Sequence, residues 1–531
     1  MVNYKSEKQL SIFDFKTGFE SKLDANNRWV RLCSLLDWDK LSSIYHKSLS
    51  TQMGAKGIDS RVVIGALIIK YLERKDDRGT IEAISENPYM QYFLGFDHFD
   101  SKPIFDPSLF VSIRKRLGNE SFDEMNQIII KQALTLNQEV SPAEDSRKNE
   151  EEKDNLKQDE STEKPLTNKG KLQMDATVAD AYIKFPTDLG LLNDSREKSE
   201  ELLDKLSKSL SIGKPRTYRI KARKEWINLS RNKNKQKKVI RKGISQQLSY
   251  LKRNLQSVDK ILINNPLALN ELTKAEYKYL LVINELYRQQ LEMFRANKHS
   301  IEHRIVSIHQ PHIRPIVRGK SGKKVEFGAK INVSLQEGFA RIDQLSFEAF
   351  NEGTFLKDQV ERYKKLNGYY PDLVQTDDIY MTKENRKYLK ENGIRHTGKA
   401  LGRKPKQVPS TQEKAIRQIE RNQRNHIEGK FGQGKVKYNL NKIMAKISDT
   451  TESWIAGIFF VMNILKLSKD FLCLFLIRLT NVLFQKNNPI SNILTRSSLD
   501  LTQFRKHSHY SKFASSSFNS FSEILSFTCL S

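Results

Sequence analysis

The sequence has very little cysteine. Among its 531 residues there are three, Cys33, Cys473 and Cys529, which lie far apart and show no CxxC spacing. Cysteines placed in this way form neither a disulfide framework nor a zinc–thiolate site. We therefore exclude a disulfide-stapled secreted fold and expect a protein of a reducing compartment.

The sequence also lacks a long apolar run. Its most apolar stretch, WIAGIFFVMNIL at 454–465, has 12 residues, whereas a bilayer span needs about 20. The first ten residues, MVNYKSEKQL, carry charges without an apolar segment behind them, so no secretory signal is expected. We expect stretch 454–465 to be a buried helix of a soluble, cytoplasmic protein.

Acidic residues are too few to balance the basic ones. There are 63 Asp and Glu against 90 Lys and Arg, a formal net charge of +27, which favours a polyanionic partner, most often nucleic acid. A membrane surface or a ribosomal complex is the alternative. The excess is densest at 211–254, which holds fifteen Lys and Arg and a single acid, Glu225. Such a run repels itself unless a polyanion lies along it, so we expect nucleic-acid contact there rather than a merely solvated face.

A segment with almost no apolar residues divides the chain. Residues 141–171 are rich in charge and cannot bury a core, so we predict a disordered linker at 137–168. Before it, helices are predicted at 59–73, 80–92 and 108–117. Three short helices with a basic third one suit a helix-turn-helix-like DNA-binding domain over residues 1–136, with Arg114 and Arg116 as DNA contacts. An ordinary helical bundle is the alternative.

Beyond the linker, strand and helix patterns alternate. The predicted order is a strand (171–180), a helical block (194–303), two strands joined by a turn at 336–338 (325–335 and 339–347), a helix (353–366), a strand leading into Asp377, a helix (382–393), a strand (394–398) and a long helix (410–431). This order predicts a mixed α/β layer with a helical insertion after its first strand. The predicted division is a catalytic domain at 169–193 and 304–470, a basic insertion at 194–303 and a tail at 471–531.

Three acidic residues fall on these strands or on the helix beside them. Asp175 lies within the first strand, where Asp is depleted, and Asp377 closes the fourth. Glu428 lies on the last helix, four residues after Arg424, a spacing most often found in surface ion pairs. Carboxylates that converge repel one another without a cation, and hard oxygen ligands suit Mg²⁺ or Mn²⁺. Two such ions can activate the attacking oxygen and stabilise the leaving oxygen of a phosphodiester displacement.

Two further acids compete for these places. Asp180 lies on the same strand as Asp175, and Asp378 follows Asp377 directly. Successive residues of a strand face opposite sides, so only one of Asp377 and Asp378 can join Asp175.

Several motifs resemble those of bacterial insertion-sequence DDE transposases of the insertion-sequence-five type. The stretches MDATVADAYIKFPTD, TDDIYMTKENRKYL and RNHIEGKFGQGK are similar to the three catalytic motifs, and YMQYFLGF, RPIVRGK and FGAK are also similar to the family. The resemblance covers roughly residues 59–467. It gives the second catalytic place to Asp377 and matches the third motif with Arg424, Glu428 and Lys435, whereas Arg421 replaces the family's Tyr.

The resemblance implies an RNase H-like catalytic domain, a mixed sheet with helices on both faces. Asp175, Asp377 and Glu428 would be catalytic and would bind Mg²⁺, for which Mn²⁺ can substitute. Expected partners are double-stranded DNA, as terminal inverted repeats and as target, and a second copy of the chain in a synaptic dimer. The expected DNA contacts in this part of the chain are Arg424, Lys435, Arg314, Arg318 and Lys320. A metal-dependent nuclease that cuts without joining, or an inactive DNA-binding remnant, is the alternative.

Overall fold

The computed structural model describes residues 22–49, 57–138, 168–233, 236–317, 325–399 and 410–485. Most of the predicted linker (139–167), most of the predicted tail (486–531), Arg318 and Lys320 lie outside these ranges. The chain divides into two units, residues 1–470 and 471–531. Among the described helices, none has both the length and the apolar character needed to cross a membrane.

The N-terminal part is helical. Its helices are α1 (Arg28–Leu35), α2 (Trp38–His46), α3 (Ser60–Leu72), α4 (Asp77–Glu86), α5 (Pro88–Leu94), α6 (Leu109–Arg116) and α7 (Asn119–Gln138). Side chains of Asn27, Asp37, Asp59 and Asp76 cap the first turns of α1 to α4. The helix predicted at 80–92 is two helices, because Asn87 precedes a proline and caps α5.

A mixed sheet forms the centre of the second part. Strand β1 (Lys171–Asp180) runs antiparallel to β3 (Val325–Gln336) and parallel to β5 (Leu373–Gln375), which is parallel to β6 (Arg395–His396). On its other side β3 pairs with β4 (Phe339–Ser346) and with β2 (Arg314–Val317). The strand order is β2-β3-β1-β5-β6, with β4 on β3. The mixed α/β prediction is confirmed, although β2 was missed because it has four residues, one of them Pro315.

The hairpin between β3 and β4 has the predicted turn. Both connecting residues have positive φ, 50° at Glu337 and 83° at Gly338. Two such residues make the tight turn whose twist matches that of paired strands.

Between β1 and β2 lies a block of helices with its own apolar core. The block contains α8 (Asp188–Ser209), α9 (Arg219–Arg231), α10 (Lys237–Asn264), a 3₁₀ turn (Pro266–Glu271) and α11 (Lys274–Ala296). Leu203, Leu251 and Ile283 are fully buried in this core. The apolar stripes of α8, α10 and α11 thus face one another, and most basic residues of α9 and α10 are left at the surface, whereas Arg196 of α8 is buried.

The remaining helices cover the sheet. They are α12 (Leu356–Asn367), α13 (Lys383–Glu391), α14 (Thr411–Gln423), α15 (Asn425–Lys437) and α16 (Ser448–Gln485). Leu172 and Met174 pack with α12 and α13 in one cluster. Ile331 and Val333 belong to a second cluster with α15, α16 and the N-terminal helices. The predicted burial of 454–465 is confirmed at residues 455–464, while the helix predicted at 410–431 is two helices that meet at Arg424.

Candidate active site

Strands β1 and β5 lie side by side and carry the same local pattern, a Gln followed two residues later by an Asp. Gln173 lies opposite Gln375 in the parallel register, and an Asp follows each Gln two residues later, Asp175 and Asp377. Side chains at i and i+2 of a strand point to the same face. The glutamine pair and Asp175 therefore share one face, and the Asp175 side chain there is 17% exposed.

Asp377 lies just beyond its strand. Strand β5 ends at Gln375, and the Asp377 side chain caps a 3₁₀ turn, Asp378–Tyr380, by accepting a hydrogen bond from the Asp378 N–H at 2.8 Å. The premise that Asp377 and Asp378 alternate along a strand is wrong, because neither residue is in one. Their surroundings still differ, since Asp378 pairs with Lys399 at 2.9 Å while the charge of Asp377 acts on Asp175.

A further carboxylate, Glu352, was missed by the sequence reasoning. It begins a 3₁₀ turn, Glu352–Phe355, before α12, is 17% exposed and pairs with Lys330 at 2.8 Å. Its charge also acts on Asp175. Nothing in the local sequence NEGTF distinguishes this Glu from one in an ordinary surface turn, because tertiary contact alone brings it to the site.

The surroundings of Asp175 disfavour the charged form of its carboxyl group. Burial raises its pKa to about 6, and the charges of Glu352 and Asp377 add to the increase. The Ala176 N–H, which donates to Asp175 at 2.8 Å, and Arg424 act in the opposite direction. Burial is the main cause of the increase, and the hydrogen bond from Ala176 and the charge of Arg424 do not offset it.

Arg424 lies between two of the three predicted ligands. Its Nη1 is 3.9 Å from Asp175 Oδ2, and its Nη2 donates to Glu428 Oε1 at 3.1 Å. Arg424 is the residue at which α14 ends and α15 begins, and Glu428 is 53% exposed one turn later. The structure therefore brings Asp175 and Glu428 to the same guanidinium, and the charge of Asp377, just beyond the neighbouring strand, acts on Asp175.

The buried glutamine pair attaches this helix junction to the sheet. The last carbonyl groups of a helix have no partners within it. In α14 two of these carbonyl groups accept hydrogen bonds from the glutamine pair. Gln375 donates to the Glu420 carbonyl at 2.6 Å, and Gln173 donates to the Gln423 carbonyl at 2.8 Å. Gln173 also donates to the Gln375 side chain at 2.7 Å. The sequence signal for this anchor, a Gln two residues before Asp175 and another two residues before Asp377, was overlooked.

The chemistry of this cluster fits a divalent cation. Asp175, Asp377 and Glu352 offer only carboxylate oxygens, and the pKa of Asp175 is raised mainly by burial and further by the charges of the other two acids. Such ligands are the ones that Mg²⁺ and Mn²⁺ prefer. In the described part of the chain no three His, Cys, Asp or Glu side chains are already arranged around one point for a metal. Glu428 would have to turn away from Arg424 to join the others.

Two other predicted residues lie along the same elements. Lys435 is two turns after Glu428 on α15, and its Nζ is 4.0 Å from Glu326 Oε1 on β3. Asp180 lies at the end of β1, five residues after Asp175, so a regular strand turns it to the opposite face. Arg314 lies near that end of the sheet and pairs with Glu348 at 3.1 Å.

The two N-terminal predictions differ in exposure. Arg114 is buried and donates two hydrogen bonds of 2.8 Å to Asp77, so a phosphate contact would have to break this pair. Arg116 is exposed and donates to the Tyr45 hydroxyl at 3.3 Å.

The basic helices α9 and α10 place most of their charge in solvent. Lys221, Arg223 and Lys224 are exposed, and none of them forms an ion pair with another described residue. Among the described cations of these two helices, Arg219 is neutralised by Asp204 at 2.8 Å. This surface therefore carries exposed positive charge that attracts polyanions.

Comparison with known proteins gives two family matches. Residues 374–465 match the model of a transposase DDE domain, and residues 18–116 match a transposase domain, DUF772. The first segment contains Asp377, Arg424, Glu428 and Lys435, whereas Asp175 lies outside both.

A relative from Rhizobium meliloti, described as an uncharacterized protein ORF8 in the nfe locus, is 27% identical over 120 residues. That match covers 22% of this chain and 58% of the relative, so the chain spans little more than half of the relative's length. No solved structure matches the chain. Two separate transposase models matched within one chain support an insertion-sequence transposase.

Proposed function

We propose that the protein is a DDE transposase of the insertion-sequence-five type, which cleaves the ends of its element and joins them to target DNA. The observation that carries the proposal is the partly buried Asp175, placed beside Asp377 and opposite the Arg424–Glu428 helix. Two of these acids lie in the segment that matches the transposase DDE domain.

The sheet supports an RNase H-like assignment of the catalytic domain. Its antiparallel half, β4-β3-β1, continues into a parallel half, β1-β5-β6. In this proposal residues 169–193 and 304–470 form the catalytic domain and 194–303 its basic insertion. Residues 1–136 form a DNA-binding domain, with 137–168 as linker and 471–531 as tail.

Each charged group has a distinct role in the proposed reaction. Asp175, Asp377 and Glu428 would hold Mg²⁺, or Mn²⁺ in its place, and the bound ion would supply activation of the attacking oxygen and stabilisation of the leaving one. Arg424, once parted from Glu428, can donate to a phosphate, and Lys435 lies two turns further along the same helix. The exposed cations of α9 and α10 hold the duplex without reading its sequence.

The proposed partners are terminal inverted repeats, target DNA and a second copy of the chain. A dimer would bring two element ends together, and the reaction would take place in the bacterial cytoplasm at the nucleoid. The formal net charge of +27 supports the DNA partner.

The test separates binding from chemistry. Asp175→Asn, Asp377→Asn and Glu428→Gln should each bind a labelled element end as the parent does, since an amide keeps the side-chain size and adds no negative charge. Cleavage and joining in Mg²⁺ should fall at least about a thousandfold, or about 4 kcal/mol of barrier, because an amide is a poor Mg²⁺ ligand.

Asp378→Asn is the matched control and should cut normally, since that side chain pairs with Lys399. Cutting by Asp377→Asn but not by Asp378→Asn would overturn the assignment of the second carboxylate. Cleavage without joining by the parent would favour a nuclease, and binding without either reaction would favour an inactive remnant.

A further inference from the structure

A cavity of about 260 Å³ opens at the end of β1 remote from the carboxylates. It is lined by residues from 182–194, the loop 306–310 and Lys446. The last residue of β1, Asp180, is about 17 Å from Asp175 at roughly 3.3 Å per residue. The cavity therefore lies near the far end of the strand that carries Asp175 and is separate from the candidate active site.

Two aromatic side chains of the cavity wall are unusually exposed. Tyr182 is 60% and Phe185 71% exposed. Phe185 meets Phe327 only edge-on, at a centroid distance of 5.7 Å, and Lys442 lies 4.8 Å from the centre of the Tyr182 ring. Exposed rings accompanied by lysines form the platforms on which single-stranded nucleic acids stack their bases.

The cavity wall also contains a buried amide whose hydrogen-bonding capacity is incomplete. Gln310 is 4% exposed, and its side-chain oxygen accepts no hydrogen bond from the part of the chain described. A buried acceptor without a donor is unfavourable, because it has lost its hydrogen bonds to water. The oxygen itself is not accessible from the cavity, so a ligand can reach it only after the Gln310 amide turns. The exocyclic amino group of adenine, cytosine or guanine is a donor of the required kind.

The charge around the cavity favours a phosphate. Lys184 and Lys446 line it, against one acid, Asp194, which is 3.9 Å from Lys184. The N-terminus of the 22-residue helix α8 also forms part of the wall, through its cap Thr187 and through Gly190. A helix N-terminus adds partial positive charge. These groups favour a nucleotide over an apolar segment of a protein.

We propose that this cavity holds one unpaired nucleotide. Its base stacks on Tyr182 and Phe185, its amino group donates to the Gln310 oxygen once that amide turns towards the cavity, and its phosphate lies near Lys184 and Lys446. Cavities that hold drug-sized ligands measure about 300–1,000 Å³, so this volume suits a single nucleoside. The inference rests on the proposed function for its source, an unpaired strand of bound DNA, whereas a free nucleotide presents the same chemistry.

The experiment compares strand binding with duplex binding by the full-length chain. Tyr182→Leu and Phe185→Leu should each weaken binding of a mixed-sequence single-stranded oligonucleotide about five- to a hundredfold, the loss expected for one stacked base. Affinity for a long duplex should stay within twofold. Tyr277→Leu is the control, because Tyr277 is also exposed and points away from Tyr279, which contacts His309 of the cavity.

Photo-crosslinking identifies the contact directly. An oligonucleotide carrying 5-iododeoxycytidine should crosslink to Tyr182 or Phe185, as mapped by mass spectrometry. Gln310→Met should reduce the preference for dAMP over dTMP as a competitor of this crosslink. Competition by dAMP at low concentration would identify the free nucleotide as a ligand, and competition by oligonucleotides alone would identify the strand; either supports the proposal.

The outcomes separate this inference from the proposed function. Unchanged strand affinity in both aromatic variants, with crosslinks elsewhere, would overturn the nucleotide cavity even if the parent cleaves DNA. A parent that binds strands through Tyr182 and Phe185 but never cleaves would retain the cavity and remove the transposase chemistry.

Discussion

The protein contains two clusters of charged side chains, each around a partly buried aspartate, and the pKa of that aspartate is shifted in opposite directions in the two clusters. In the N-terminal cluster, Asp77 accepts hydrogen bonds from Arg114 and pairs with Lys70 at 2.8 Å. Both cations also lie near the Trp454 ring, at 4.4 Å for Lys70 and 5.2 Å for Arg114. At Asp175, by contrast, three other acids share the region with two cations, Lys330 and Arg424.

The pKa values register this difference. Burial by itself would raise the pKa of Asp77, but the Arg114 hydrogen bonds and Lys70 outweigh it and the pKa lies below its ordinary value. The pKa of Asp175 instead rises to about 6. A buried acid with sufficient cations stabilises a fold, whereas one held among other acids is the pattern of a functional site.

Removing the anion of the N-terminal cluster should have the largest effect on stability. Asp77→Asn leaves Lys70 and Arg114, 1% and 5% exposed, without their carboxylate. We expect a loss of about 3–5 kcal/mol in the free energy of unfolding, measured by urea titration at pH 7. Asp37→Asn is the control; it removes a surface pair with Lys40 but keeps a capping side chain, so it should cost under about 1 kcal/mol. Equal losses in the two variants would remove the distinction between the clusters.

Neutralising Asp175 should have the opposite effect and increase the free energy of unfolding. Its pKa is higher in the folded chain than the ordinary value of an Asp carboxyl, so the folded state binds the proton more tightly, and the charged form lowers the stability as the pH rises through 6. Asp175→Asn without metal should therefore be more stable than the parent at pH 7–8, by up to about 3 kcal/mol at 1.36 kcal/mol per pKa unit. The gain should vanish below about pH 4, where the parent carboxyl is protonated in both states.

Urea titrations at pH 4 and pH 8 in EDTA measure this difference. Added Mg²⁺ should stabilise the parent but not the variant, since only the parent keeps the ligand. A variant less stable than the parent at pH 8 would show that Asp175 is satisfied in the same way as Asp77.

The anchoring glutamines provide a sharper test of the acidic cluster. Gln375→Met keeps the volume but removes the donor to the Glu420 carbonyl, so Arg424 and Glu428 lose their fixed position against Asp175. We expect Mn²⁺ affinity, measured by calorimetry, to fall about tenfold. Gln91→Met is matched, because Gln91 is also buried and donates to a helix carbonyl, Ile84 at 3.0 Å. It should lose stability but keep Mn²⁺ affinity. Unchanged Mn²⁺ affinity in Gln375→Met would contradict a positioning role.

Local patterns explain which parts of this molecule could be predicted. Asp59 as a helix cap, the turn at Glu337 and Gly338, and the period-two strand around Asp175 all depend on neighbours in sequence. Glu352 could not be found in this way, because tertiary packing brings it beside β1. The break at Arg424 was also missed, since that residue keeps helical backbone angles and no proline or glycine marks it. The strand pattern placed Asp377 at the end of the fourth predicted strand, and the resemblance to transposases gave it the second catalytic place. Only the structure shows that Asp377 lies beyond β5, as the cap of a 3₁₀ turn.

The smallest expected effect concerns cations rather than acids. If α9 contacts DNA, Lys221→Gln, Arg223→Gln and Lys224→Gln should each weaken binding about fivefold at physiological salt for every DNA sequence. Each should also lower the slope of log affinity against log salt concentration by about 0.9, the value for one phosphate contact. The control is Lys383→Gln, an equally exposed lysine of α13 outside the basic block. Filter binding from 50 to 300 mM salt measures both quantities. Unchanged slopes in all three variants would mean that these cations of α9 are only solvated and do not contact DNA. The excess of cations there, unlike the group of acids around Asp175, would then form no binding site.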